Sequence, residues 1–135
     1  VEQDVRGAVK YIKANGGKAA VIGFCMGGAL TIIASVKLPD LDAGVCFYGI
    51  PPTEVADPVR IAVPLQCHFA NQDDWCTPAA VDAFDNTIKQ AGINYELFRY
   101  EVQHGFFNEQ RPEVHDADAS KLAWERMLGF LNTHL

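Results

Sequence analysis

The sequence predicts an α/β fold: a three-layer α/β/α sandwich whose sheet is mostly parallel. Three observations carry this expectation. Segments 19–23 (AAVIG), 43–48 (AGVCFY) and 63–70 (VPLQCHFA) are nearly unbroken apolar runs, as strands buried on both faces require. Segments with helical spacing stand between most of the strand-like runs, at a length that suits crossovers. The resulting order is helix, strand, helix, strand, strand, helix, strand, helix.

Each element has its own signature. In 2–14, Val5, Ala8, Val9 and Ile12 recur at helical spacing, and Asn15-Gly16-Gly17 ends the helix. Segment 19–23 is the first strand. Segment 26–37 (MGGALTIIASVK) reads as a buried helix that stops near Pro39. The second strand, 43–48, is closed by Gly49 and Pro51-Pro52, and 53–60 is a polar loop or short helix. After the third strand, 63–70, a helix over 78–91 has Pro in its first turn and Gly92 just past its end. Segment 94–100 (NYELFRY) alternates and predicts a strand. The last helix, 116–135, is expected to bury Leu122, Trp124, Met127, Leu128 and Leu131.

Composition bounds the function. The chain has 135 residues, 49% hydrophobic and 21% charged, which suits one domain with a real core and excludes a disordered tail. A net charge of −6 gives the wrong long-range field for nucleic acid or an anionic membrane, so a small-molecule partner is expected. The uncharged stretch 19–36 is interrupted by Gly23, Gly27 and Gly28, and is read as strand plus helix rather than a membrane span. The four cysteines (25, 46, 67, 76) form no C-x-x-C pair and no zinc-finger spacing with His, and no Gly-Lys-Ser/Thr phosphate loop occurs. No metal and no cofactor are expected. Buried thiols in a reducing compartment are the plain reading, and no basic segment leads into an apolar one at the start, so the expected location is cytoplasmic.

The chemistry concentrates at three places, each after a different predicted strand. Gly23-Phe24-Cys25-Met26-Gly27 joins a strand to a helix and fits a nucleophile elbow, G-x-Nu-x-G. There the turn needs small residues two before and two after the nucleophile, and Gly23 and Gly27 supply them. The helix start favours a thiolate at Cys25, and the Met26 N–H is free to face an oxyanion. A Gly-rich turn with a buried thiol is the plainer alternative. The second place is Asp73-Asp74, in the loop before the helix at Pro78, where Thr77 suits a helix cap and the paired acids do not. The third is His104, on the loop after the last strand. His68, inside a strand, is assigned to the core or a pocket wall, and His115 and His134 to the surface. Nucleophile, acid, histidine is the chain order of α/β-hydrolases.

With these residues in place, the sequence resembles the dienelactone hydrolase family, a branch of the α/β-hydrolases with a cysteine nucleophile. GFCMGG (23–28), FYG (47–49), ANQDDWCTPAA (70–80), HGFFNEQRP (104–112) and the Ala123-Trp124 pair carry the resemblance. It implies Cys25 as nucleophile, His104 as general base and an aspartate that orients the histidine. It implies hydrolysis of an ester or lactone through a thioester. Aligned from Ala70 the family pattern selects Asp73; aligned backward from Pro78 it selects Asp74; Asp73 keeps Asp-Asp-Trp intact and is preferred. Phe24, Trp75, Phe106 and Phe107 adjoin these positions and are candidate pocket walls, with core packing the equal alternative. The family carries a substrate-binding arginine shortly after its histidine; here Phe107 and Asn108 stand there, and the first arginine is Arg111. The family's first strands, first helix and the loop with a second oxyanion donor have no counterpart in 1–135. The expectation is therefore one partial domain, an α/β-hydrolase fold lacking its N-terminal strands. The competing expectation is a non-catalytic module that self-associates through an exposed sheet edge.

Overall fold

In the computed structural model, which describes residues 1–135, four strands form one sheet: β1 (Ala20–Phe24), β2 (Ala43–Phe47), β3 (Leu65–Gln72) and β4 (Tyr95–Gln103). They lie in the order β1-β2-β3-β4 and every pair is parallel. The helices are α1 (Glu2–Ala14), α2 (Met26–Lys37), α3 (Pro78–Gln90) and α4 (Ala117–His134), with a short 3-10 turn at Pro58–Arg60. The predicted element order and fold class hold. α2 begins and ends where the sequence places it, because Gly and Pro punctuate both sides. The third strand starts at Leu65 rather than Val63, since Pro64 has no N–H to give a ladder. The fourth runs on to Gln103 rather than stopping at Tyr100.

Helices cover both faces. Ile32 of α2 and Val81, Phe84 and Ile88 of α3 pack on Cys46, Leu65, Cys67 and Phe69. On the opposite face, Ala123, Met127 and Phe130 of α4 pack with Val45, Phe47 and Tyr100. α1 meets α2 through Val9, Ala34 and Leu38. This corrects the expected stripe of α4: Leu122, Trp124 and Leu128 are exposed, Met127 is buried, and Ala123 and Phe130 complete the buried row. The helix is rotated so that its smaller Ala123 lies over the sheet while Trp124 turns toward Phe107, ring centroids 6.4 Å apart.

A buried polar chain ties α4 to the sheet. His68 bonds Tyr100 Oη through Nδ1 and Gln66 Oε1 through Nε2, both at 2.8 Å. Gln66 Nε2 donates to Glu96 Oε2 (2.8 Å) and to the Arg126 carbonyl (3.1 Å). Gln66 Oε1 can only accept, so Nε2 of His68 carries the proton and Nδ1 accepts from the tyrosine. Burial pushes the His68 imidazole down to about 3, aided by the Arg126 charge. Its predicted place in the core is thus observed. β1 has a neighbour on one side only, and its Ile22 and Phe24 are 42% and 39% exposed. No helix is long and apolar enough to cross a membrane.

Candidate active site

The carboxyl ends of parallel strands gather residues from distant parts of the chain. Here the end of β1 gives Cys25, that of β2 gives Tyr48, the loop after β3 gives Asp73 and the loop after β4 gives His104.

Cys25 sits in a strained turn with φ 56° and ψ −120°, where a non-glycine residue rarely stands. Its N–H donates to the Phe47 carbonyl (3.1 Å), and its own carbonyl accepts from Gly28 (2.9 Å) and Ala29 (3.2 Å). The close approach falls on Gly23, where an added Cβ would lie 1.9 Å from the Gly27 carbonyl oxygen. Gly49 is similar, with Cys25 O 2.2 Å from its would-be Cβ. The expected need for a small residue at Gly27 is not met: a Cβ there touches nothing within 4 Å, because the Gly27 backbone, not its side, crowds the turn. Met26 opens α2, so its N–H has no partner within the helix.

Asp73 is 3% exposed and its carboxylate is fully engaged. Oδ1 accepts from the N–H groups of Trp75 (2.8 Å) and Cys76 (2.9 Å), and Oδ2 accepts from His104 Nδ1 (2.6 Å). With that proton on Nδ1, the lone pair of Nε2 faces Cys25 Sγ at 3.2 Å, so the thiol donates. Asp74, the other candidate, points to solvent and bonds none of these groups. The structure brings Cys25, Asp73 and His104 together in one hydrogen-bonded row.

The electrostatics differ from the helix-start argument, which favours a thiolate. Burial pushes the Cys25 thiol upward, the Asp73 charge adds to the rise, and Arg111 only partly opposes it.

Two clefts open on Cys25. Phe24 and Phe107 line the smaller, of about 390 Å³, together with Tyr48 and Arg111. Trp75 lines the larger, of about 640 Å³, with Tyr48, Ile50, Pro51 and Pro52. Phe106 is not a wall: it is 0% exposed and packs between Tyr48 and Tyr100, at 5.5 and 5.1 Å. The turn Gly105-Phe106-Phe107 sends one ring inward and the next outward. Tyr48 was legible only as part of FYG. It has φ 37°, is buried, and its ring lies 4.8 Å from that of His104. The sequence reading ends the second strand on this residue, whereas β2 stops at Phe47 and leaves Tyr48 at the carboxyl end of the sheet. No group of His, Cys, Asp and Glu has the arrangement of a metal site. All four cysteines are free, and only Cys25 is exposed.

Comparison with known proteins identifies the family and the fold. A model of the dienelactone hydrolase family matches residues 1–135. A Xenopus tropicalis protein named carboxymethylenebutenolidase homolog is 30% identical over 136 residues, covering 92% of this chain and 55% of its own. Protein usf of Aquifex pyrophilus is 33% identical over 120 residues, 87% of this chain and 52% of its own. Among solved structures, a Klebsiella pneumoniae protein assigned as a dienelactone hydrolase superposes with a TM-score of 0.84 at 24% identity, over 94% of this chain and 58% of that one. A dienelactone hydrolase-like promiscuous phosphotriesterase from metagenomic libraries gives 0.77 at 21% identity, over 85% and 52%. These structural likenesses show the α/β-hydrolase fold, and the chain spans about half the length of the curated relatives it matches. With a family match along its whole length, this chain belongs to the dienelactone hydrolase family.

Proposed function

We propose that the protein hydrolyses a carboxylic ester or lactone with Cys25 as nucleophile, His104 as base and Asp73 as the group that orients the histidine. The observation that carries this reading is the unbroken row from Cys25 Sγ through the imidazole to the buried Asp73 carboxylate. The name carboxymethylenebutenolidase among the relatives supports a lactone or ester as substrate class.

In this mechanism the thiol proton passes to His104 Nε2 as Sγ attacks the carbonyl carbon. Burial and the Asp73 charge disfavour a free thiolate at Cys25, and His104 Nε2, 3.2 Å from Sγ, stands where it can take the proton as Sγ attacks. The negative oxygen of the tetrahedral intermediate accepts from the Met26 N–H. Asp73 stabilises the imidazolium through Nδ1. Collapse breaks the bond to the leaving oxygen, which takes the proton from Nε2, and a thioester remains on Cys25. His104 then removes a proton from water, the water oxygen attacks the thioester, and the thiol leaves with its proton restored. The acid product departs.

The test is hydrolysis of p-nitrophenyl acetate by the wild type, Cys25→Ala and His104→Ala. Both substitutions are expected to remove the protein-dependent rate. Turnover that is indifferent to both would count against the reading.

A further inference from the structure

The two clefts that meet at Cys25 differ in chemistry, and the difference bears on substrate class. The larger is walled by Tyr48, Ile50, Pro51, Pro52, Trp75 and Ala80, and no Lys, Arg, Asp or Glu lines it. The guanidinium of Arg111 is confined to the smaller one, where it already pairs with Glu113 at 3.0 Å. Resting on the reading of Cys25 as nucleophile, we propose that the larger cleft receives an uncharged, apolar part of the substrate.

Three features make this cleft a formed site. Pro51 and Pro52 fix their own φ angles, so the wall does not have to be ordered on binding. The wall is held against the nucleophile: Gly49 packs on the Cys25 carbonyl too closely to admit a Cβ, and the Cys46 thiol donates to the Gly49 carbonyl at 3.1 Å. Trp75 is 88% exposed, yet its backbone is pinned by its N–H bond to Asp73 at 2.8 Å, so an apolar ring stands at the rim beside the row of reacting groups. A carboxylate entering here would give up hydration with no Lys or Arg to receive it, and the one basic side chain of the cleft, His104, is already bonded to Asp73 and Cys25, whereas an alkyl chain gains about fourfold for each methylene it buries.

The experiment reads the cleft through alkylation of Cys25, which needs no turnover. Second-order rates are measured for iodoacetamide, N-hexyl-iodoacetamide and an iodoacetamide bearing a chain of equal length that ends in a carboxylate. Peptide mass mapping confirms the labelled residue. The hexyl reagent is expected to react at least about tenfold faster than iodoacetamide, and the carboxylate reagent to lose that advantage. Ala80→Trp, on the exposed first turn of α3, fills the cleft and is expected to bring the hexyl-to-plain ratio near one. Trp75→Ala, at the exposed rim, is expected to lower the ratio. Equal rates for all three reagents would overturn the proposal. So would a fastest rate for the carboxylate reagent, which would point to the Arg111 side, or a ratio that survives Ala80→Trp. Absence of ester turnover with the hexyl preference intact would instead count against the catalytic reading alone.

Discussion

Asp73→Asn separates the two adjacent aspartates and tests the hydrogen-bonded row at its buried end. The carboxylate accepts three N–H groups, from Trp75 and Cys76 on Oδ1 and from His104 on Oδ2. An asparagine can keep its carbonyl oxygen on the two backbone donors, which leaves the loop folded. Its NH₂ then replaces Oδ2 and faces Nδ1. Two donors cannot bond, so Nδ1 must become the acceptor and the proton moves to Nε2. That proton now points at Cys25 Sγ, and the imidazole has no lone pair with which to take the thiol proton. A wrong tautomer of this kind costs about 10⁴ in kcat, or about 5 kcal/mol of barrier at about 1.4 kcal/mol per tenfold. Asp74→Asn, at an exposed position outside the row, is expected to stay within about twofold of wild type, as surface substitutions do. Steady-state p-nitrophenyl acetate hydrolysis gives the rates, and a thermal melt shows whether Asp73→Asn remains folded. A larger loss for Asp74→Asn, or a folded Asp73→Asn that keeps more than a tenth of the activity, would overturn this role for Asp73.

Other substitutions and conditions test the remaining parts. The pH profile of Cys25 alkylation by iodoacetamide is expected to have its midpoint above the ordinary thiol value of about 8.5, because burial and Asp73 favour the protonated form; a midpoint below that value would contradict this. Gly23→Ala, whose Cβ would meet the Gly27 carbonyl at 1.9 Å, is expected to cost at least about 3 kcal/mol of stability, while Gly27→Ala, with nothing to meet, is neutral or stabilises by up to about 1 kcal/mol through helix propensity; urea melts rank the two. Met127→Ala is expected to lose about 2–5 kcal/mol and Leu128→Ala under about 1 kcal/mol, since only the first is buried under α4. His68 has its folded value lowered to about 3, so the unfolded chain binds the extra proton as pH falls below about 6.5 and stability drops by roughly 1 kcal/mol per pH unit from there downward. Urea midpoints at pH 6.5 and 5 should show that fall, and His68→Gln should show a smaller one.

The fold was legible because its signals are local. Continuous apolar runs such as AGVCF mark strands covered on both faces, and Pro78 with Gly92 brackets α3. The phase of α4 was not legible, because Leu122 and Trp124 look like core residues, yet the sheet beneath the helix accepts Ala123, Met127 and Phe130 instead. Periodicity reports an apolar face; how the helix is rotated on its sheet depends on tertiary packing. In the site, the three positions that carry polar chemistry stood out, since each follows a strand. The choice between neighbours was harder. Asp73 is distinguished by a turn in which its carboxylate accepts two backbone N–H groups, and Phe106 from Phe107 by which ring a glycine turn sends inward. Neither has a repeating pattern in the sequence. Tyr48, Pro51 and Arg111 reach the thiol only through the parallel crossover, so their part in the clefts is a property of the fold.

If Cys25 carries the acyl group, the mass of the covalent intermediate shows it. The protein is mixed with p-nitrophenyl acetate, quenched in acid within one turnover, digested and mapped by mass spectrometry. One acetyl group is expected on the peptide that contains Cys25, lost again as the enzyme turns over, with no such adduct in Cys25→Ala. Acetyl found on another residue, or hydrolysis continuing at the wild-type rate in Cys25→Ala, would contradict it.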